Sequence, residues 1–205
     1  MRLLALSLGI AALAAPAHAD TRTMNVSKFN AVSVSSMMDV ELRQGPQAVT
    51  VEQAENDFSD LKLEVRNGTL IVGRTDGKTE RNSPIYRVVV TAPSLNSISA
   101  ASASGVEGRG LSFQKLSVSV ASAASVSLEG VCKEIALSVS TSGDFAGGKM
   151  RCETGQAEGT TSGEATIWIS GVGKARATTG ANLTFIGKPK SVEGQATLGA
   201  TIHVK

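Results

Sequence analysis

Aromatic residues are scarce in this chain of 205 residues, in which Phe, Trp and Tyr make up 3% of the sequence and Trp and Tyr occur once each. A conventional β-sandwich core of this length usually contains more aromatic volume. A thin stack of strands can instead be filled with Val, Leu, Ile and Ala. The shortage of aromatic side chains therefore favours a narrow repeat architecture.

Histidine and net charge are also low. The chain has two histidines and a formal net charge of +2. His203 is the one histidine after residue 19. Its place in the last alternating segment predicts that it faces solvent, so no Ser/His/Asp or Cys/His set is expected. The small net charge indicates neither a nucleic-acid ligand nor an anionic membrane.

Long hydrophobic runs are confined to the N-terminus. Arg2 precedes an apolar run from Leu3 to Leu13, and Ala17-His18-Ala19 follows it, which is the pattern of a secretory signal peptide. We expect residues 1–19 to be removed during export to the periplasm, with the cell surface or the exterior as alternatives. No other run approaches the roughly 20 apolar residues of a transmembrane segment.

Six copies of one alternating pattern fill residues 98–204. Apolar and polar side chains alternate with the period of two that is typical of strands. The copies recur about every 19 positions without a helical segment between them, which fits one coil of an all-β solenoid. Each copy has a small residue that is expected to line a tight corner: Ser104, Ala124, Gly143, Gly163, Ala181 and Ala200.

A column of hydroxyl residues accompanies these small residues, two positions before each of them. We expect its side chains to point inward and to form a structural ladder of hydrogen bonds from coil to coil. The column consists of Ser102, Ser122, Thr141, Thr161 and Thr179, and Leu198 interrupts it.

The two cysteines are 20 residues apart. Cys132 and Cys152 lie eight and nine positions after Ala124 and Gly143, which places them almost over one another on neighbouring coils. The spacing of strands suits the separation of about 4.4–6.8 Å between Cα atoms that a disulfide needs, and export implies an oxidising compartment. We predict a structural disulfide, with a pair of buried free thiols as the alternative.

The region before the repeat is strand-rich but out of register with it. We predict a short extension at residues 20–27, the first strands and an irregular cap at residues 28–95, and regular coils at residues 96–205. Asn67-Gly68 is the strongest hairpin signal. Such a cap covers the unpaired strands at the end of a solenoid.

The exported part of the chain resembles the putative auto-transporter adhesin head domain, or GIN domain, of bacterial exported proteins. The resemblance covers about residues 28–204. It implies a right-handed parallel β-helix and an adhesive function. The corners at Ala123-Ala124-Ser125 and Leu198-Gly199-Ala200 depart from the family's Ser-Gly pattern. The segments that carry the resemblance are Phe29 to Val32, Asp39 to Gly45, Asn67 to Val72, Val88 to Pro93, Gly187 to Pro189 and the Ser/Thr-Gly corners that end at Gly105, Gly143 and Gly163.

Two acidic residues occupy the outward column that follows the small corner residues. Asp144 and Glu164 are expected on adjacent coils, at a spacing that suits the paired carboxylates of a retaining glycosidase or a hard cation such as calcium. A solvated polar edge is the alternative. No cofactor and no metal are predicted.

Trp168 is expected to point away from the core because Ile167 and Ile169 flank it. An exposed indole could stack on a sugar ring or contact a protein partner; a position beneath a loop is the alternative. Thr160 and Thr178 belong to a flat outward face of small residues. Lys149, Arg151, Lys174 and Arg176 are expected to form a charged rim, or else a basic strip for an anionic glycan.

These patterns together predict an exported, non-enzymatic binding or adhesion module of the bacterial envelope. Its partner would be a glycan or an envelope protein. A carbohydrate-active enzyme that uses Asp144 and Glu164 is one alternative, and a purely structural periplasmic spacer is the other.

Overall fold

A computed structural model describes residues 20–53, 58–75 and 86–205; the predicted signal peptide lies outside these ranges. The described residues form one connected assembly of 16 strands, and no α-helix occurs among them. None of these residues belongs to a helix long and apolar enough to cross a membrane. The strands are β1 (Asp20–Met24), β2 (Ala31–Val34), β3 (Asp39–Gln44), β4 (Ala48–Gln53), β5 (Leu61–Arg66), β6 (Thr69–Arg74), β7 (Arg87–Ala92), β8 (Ser97–Ala100), β9 (Gly105–Val120), β10 (Ser125–Val139), β11 (Asp144–Gly159), β12 (Glu164–Ile169), β13 (Val172–Ala177), β14 (Asn182–Ile186), β15 (Ser191–Ala196) and β16 (Thr201–Val204).

The long strands β9, β10 and β11 stack in parallel register as successive coils of a β-solenoid. In β9 the alternation of buried and exposed side chains is interrupted at Arg109-Gly110 and at Gln114-Lys115, where two neighbouring residues are exposed. Each interruption is a corner of the coil. The two corners and the closing turn divide each coil into three short faces. The all-β solenoid predicted from the repeat is confirmed.

The interior of the solenoid is a continuous column of aliphatic residues. Two positions after each small corner residue lies an apolar column whose first five members are buried and whose last member, Ile202, is partly buried: Val106, Val126, Phe145, Ala165, Leu183 and Ile202. Buried side chains of this size contribute about 1.5–3 kcal/mol each for Val, Leu and Phe relative to exposure. A core built from two or three buried residues on each face, as in β9, needs few aromatic rings.

Each coil closes through a two-residue turn in which both central residues have positive φ. Seven such turns occur in the described part of the chain, and this geometry is that of a type I′ turn. In one of them the amide of Gly143 donates to the carbonyl of Ser140 at 2.9 Å, and the amide of Ser142 donates to Thr161 of the next turn at 3.1 Å. The turns themselves therefore extend the hydrogen-bonded ladder.

This turn geometry corrects the prediction of an inward hydroxyl ladder. The type I′ turn directs its central side chains to solvent. The inward position instead belongs to the buried residue that follows the turn, such as Ser104. The hydroxyl residues predicted to point inward are all exposed: Ser102, Ser122, Thr141, Thr161 and Thr179, together with Leu198.

The small residues that end the turns occupy a tight corner, as predicted. A Cβ atom at Gly143 would lie 2.5 Å from the carbonyl oxygen of Val120, and one at Gly163 would lie 2.6 Å from the carbonyl oxygen of Val139. Each glycine lies directly against the backbone of the preceding coil.

In the N-terminal region the strands are not stacked in sequence order. Strand β3 lies between β7 and β9, and β2 lies between β6 and β8, all in parallel register. The antiparallel strands β4 and β1 extend one side beyond β7, and β5 extends the other beyond β6. The predicted hairpin at Asn67-Gly68 is present, with φ of 50° and 74°.

A disulfide joins neighbouring coils. Cys132 and Cys152 are partners in the register of β10 and β11, and their Cα atoms are 4.4 Å apart. Both residues are buried. The predicted disulfide is present, and the alternative of two free thiols is not.

Ser162 and Gly163 belong to one turn and have different conformational requirements, which gives a prediction. Ser162→Gly should raise the free energy of unfolding by about 0.5–1 kcal/mol, because a left-handed residue other than glycine costs roughly 1–2 kcal/mol and glycine gains only about 0.4–1 kcal/mol of unfolded-state freedom. Gly163→Ala should lower it by about 2 kcal/mol or more through the backbone clash.

Urea unfolding of the two variants and of the native protein measures both effects. Ser142→Gly, at the equivalent position of the preceding turn, should reproduce the gain. A loss of stability in Ser162→Gly would contradict the strained-turn interpretation.

Candidate functional site

Trp168 lies on the outer surface of the solenoid, as the alternation predicts. Ile167 and Ile169 are buried, whereas the Trp168 side chain is half-buried. A Cβ atom at Gly187 would lie 2.6 Å from Cε2 of the indole. The backbone at Gly187 therefore supports one side of the ring, and this close approach requires glycine.

The indole stands at a step between two coils of different length. The coil that begins at Asp144 takes 20 residues to reach Glu164, whereas the next coil takes 18 residues to reach Asn182. In the register of β11 and β12, Gly147 pairs with Ile167 and the next pair is Arg151 with Trp168. The three residues 148–150 have no partner on β12. Gly148 and Lys149 lie at the corner and form one wall beside the ring, whereas Met150 is buried.

We call this concave surface the corner site. It is a shallow depression, open to solvent, of about 500 Å³. Its walls combine one large aromatic ring, an apolar side chain, glycine backbone and charged groups. The lining residues are Gly110, Glu129, Gly130, Val131, Gly148, Lys149, Arg151 and Trp168.

Apolar surface and bare backbone dominate the floor of the corner site. Val131 is 52% exposed although it lies in the middle of β10. A Cβ atom at Gly148 would come within 3.5 Å of Ile186 and 3.6 Å of Thr166, so Gly148 rests on the two following coils. An exposed valine and a half-exposed indole on one concave surface are a feature of ligand sites.

Cations outnumber carboxylates around the corner site. Glu129 lies between Lys149, at 3.0 Å, and Arg109, at 3.9 Å. The guanidinium of Arg151 lies 5.8 Å from the centroid of the Trp168 ring, within the range of a cation–π interaction. Arg151 forms no ion pair with any residue in the described ranges.

The other predicted binding residues do not lie at the corner site. Thr160 and Thr178 begin the turns that close two coils, and their carbonyls accept hydrogen bonds from the amides of Gly163 and Ala181. Lys174 and Arg176 lie on the outer side of β13, whose neighbours are β11 and β15. The predicted basic strip is therefore divided between two parts of the surface.

Asp144 and Glu164 are register partners on β11 and β12 and are exposed on the outer surface. Burial and the adjacent charge of Glu164 raise the pKa of Asp144 above its ordinary value. Asp39 belongs to the same column, and Gly105 and Ser125 lie between it and Asp144. The sequence pattern did not reveal this member of the column. Within the described part of the chain, no three His, Cys, Asp or Glu side chains are grouped so that they could hold a metal ion.

The raised pKa of Asp144 predicts a pH-dependent gain in stability. A carboxyl whose pKa is raised by folding opposes folding above that pKa, and the penalty disappears below the unfolded value of about 3.9. Asp144→Asn should therefore raise the melting temperature at pH 7 and leave it nearly unchanged at about pH 3.

Differential scanning calorimetry at the two pH values measures this gain. Glu164→Gln removes the same repulsion, so the double variant should gain less than the sum of the single variants. An equal gain at both pH values would show that the carboxylate charge is not its cause.

Solved structures with the same fold include proteins named as adhesins. A putative adhesin from Bacteroides fragilis NCTC 9343 has a TM-score of 0.70 and 17% identity, over 91% of this chain and 96% of that chain. A putative lipid binding protein from Parabacteroides distasonis ATCC 8503 has a TM-score of 0.54 and 17% identity, over 93% and 98%. A putative adhesin from Parabacteroides merdae ATCC 43184 has a TM-score of 0.51 and 14% identity, over 93% and 97%.

At these identities the likeness concerns the fold. No curated protein matches the chain. Residues 28–189, most of the solenoid and its cap, match the family described as putative auto-transporter adhesin, head GIN domain. The chain belongs to this GIN domain family.

Proposed function

We propose that this protein is an exported, non-enzymatic module of the bacterial envelope that binds a glycan at the corner site. One observation carries the proposal: the Trp168 indole is fixed against the backbone at Gly187 and lines a shallow depression of about 500 Å³. The apolar C–H face of a sugar ring packs well on a rigid indole, which loses little conformational freedom on binding.

The polar groups around the indole complement the hydroxyl groups of a sugar. Glu129 accepts hydrogen bonds, and Lys149 and Arg151 donate them. Gly110, Gly130 and Gly148 leave backbone accessible at the same surface. An apolar platform edged by a few polar groups is the usual composition of a small-ligand site.

The enzymatic alternative has less support. Asp144 and Glu164 lie on an exposed strand surface, and neither lines the corner site. A glycosidase needs both carboxyls to flank a bound sugar. The spacer alternative does not account for an exposed valine and a half-exposed indole in one concavity.

Export rests on the N-terminal pattern from Arg2 to Ala19 and agrees with a buried disulfide, which persists in oxidising compartments. Expression of the full chain in a Gram-negative host should give a periplasmic protein whose first residue is Asp20. Intact mass and N-terminal sequencing of the osmotic-shock fraction measure this. A cytoplasmic product that retains Met1 would contradict export.

The glycan proposal predicts that binding depends on Trp168. Residues 20–205 applied to a glycan array should bind specific glycans, and Trp168→Ala should weaken that binding at least tenfold because the stacking surface is lost. Since the chain has one Trp, tryptophan fluorescence reports on this site alone. A glycan that binds there should shift the emission of Trp168.

Leu198→Ala is the matched control, because Leu198 is 78% exposed in the turn between β15 and β16 and does not line the corner site. It should bind like the native protein. Trp168→Phe keeps an aromatic platform and should retain part of the affinity. Binding that survives in Trp168→Ala would overturn the assignment of the site, and binding of envelope proteins without any glycan would favour a protein partner.

A further inference from the structure

The corner site contains a cation whose hydrogen-bonding groups are not used by a carboxylate. Arg151 is exposed, and no ion pair involves it in the ranges that the structure describes. Its neighbour Lys149 differs, because Glu129 pairs with it at 3.0 Å. Arg151 is thus the charged group of this site that is open to an added ligand.

The position of Arg151 is defined by its neighbours. The strand register places its backbone between Val131 and Trp168, and its guanidinium lies 5.8 Å from the indole centroid. Its neighbour in the chain, Cys152, is fixed by the disulfide to Cys132. A planar guanidinium held at an aromatic ring keeps its N–H groups directed outward for a bidentate acceptor.

The charges around the corner site favour a negatively charged ligand. Arg109 and Lys149 share one carboxylate, Glu129, and Arg151 at the indole adds a third cation, so these four groups have an excess of two positive charges. The nearest acidic residue further along β11, Glu153, forms no salt bridge with Arg151. A negatively charged group would gain electrostatic energy at the corner site, and an uncharged sugar would leave the guanidinium unpaired.

From this geometry we propose that the glycan bound at the corner site is anionic, and that Arg151 binds its carboxylate or ester oxyanion while the adjoining sugar ring packs against the part of Trp168 that the guanidinium leaves exposed. This inference rests on the proposed glycan function. It adds the class of ligand, a uronic acid or another acidic sugar, and a specificity-determining residue.

The test uses a pair of ligands that share the same sugar backbone and differ in whether their carboxyl groups are ionised or methyl-esterified. Tetragalacturonate and its fully methyl-esterified form are titrated against residues 20–205, and the emission of Trp168 is followed. The acid should bind about tenfold more tightly than the ester at low ionic strength, and this preference should shrink in high salt.

Variants distinguish the effect of the Arg151 guanidinium on binding from the effect of net charge. Arg151→Gln should weaken binding of the acid about tenfold and leave binding of the ester nearly unchanged, and Arg151→Lys should give an intermediate loss because it keeps the charge without the planar fork. Lys174→Gln, on β13, changes net charge by the same amount and should have no effect.

Each outcome distinguishes the two proposals. Equal affinity for acid and ester, with binding on the glycan array abolished by Trp168→Ala, would overturn the anionic inference and leave the glycan site standing. No response to either ligand, with no acidic or neutral glycan bound on the array, would overturn both. A shift of Trp168 emission with phosphatidylglycerol vesicles but not with any acidic glycan would overturn the sugar assignment in favour of a lipid headgroup.

Discussion

The structure depends on the hydrogen-bonded ladder between coils. Each coil can satisfy its backbone groups only if its residues lie directly over those of its neighbours, at a spacing of about 4.8 Å. The constraint extends even into the turns, where the amide of Ser142 reaches the carbonyl of Thr161. Turns made of Ser, Thr and Ala therefore remain left-handed although glycine would suit them better, because the ladder on both sides fixes their conformation.

The same constraint explains where a binding surface can arise. Where successive coils stay in register, outward side chains form regular columns such as Ser125, Asp144 and Glu164, and the surface is nearly flat. A concavity needs a local break in register. The break between β11 and β12, where residues 148–150 have no partner, provides it without disturbing the core, since Met150 still packs inside. The candidate site and the irregularity of the fold are one feature.

The features that follow from alternation could be predicted from the sequence: the strands, the buried column, the register of Cys132 with Cys152 and the outward direction of Trp168. Alternation fixes only which side of a strand a residue occupies. It does not apply within a turn, and so the direction of Ser102 and Thr141 was predicted wrongly. It also does not report coil order, so the insertion of β3 between β7 and β9 could not be found. The change in spacing from 20 to 18 residues, together with Gly147-Gly148, was visible as a signal of the step.

The unpaired charge at the corner site also follows from the difference in length between the two coils. Two lysines of the solenoid find an acidic partner on the adjacent coil: Lys115 pairs with Glu134 and Lys149 with Glu129. Arg151 has its next coil neighbour in Trp168 instead. Since the shortened coil offers an indole where a carboxylate would neutralise the cation, the guanidinium remains available to an external acid. The break in register thus creates the concave surface and leaves the positive charge of Arg151 available to an acidic ligand.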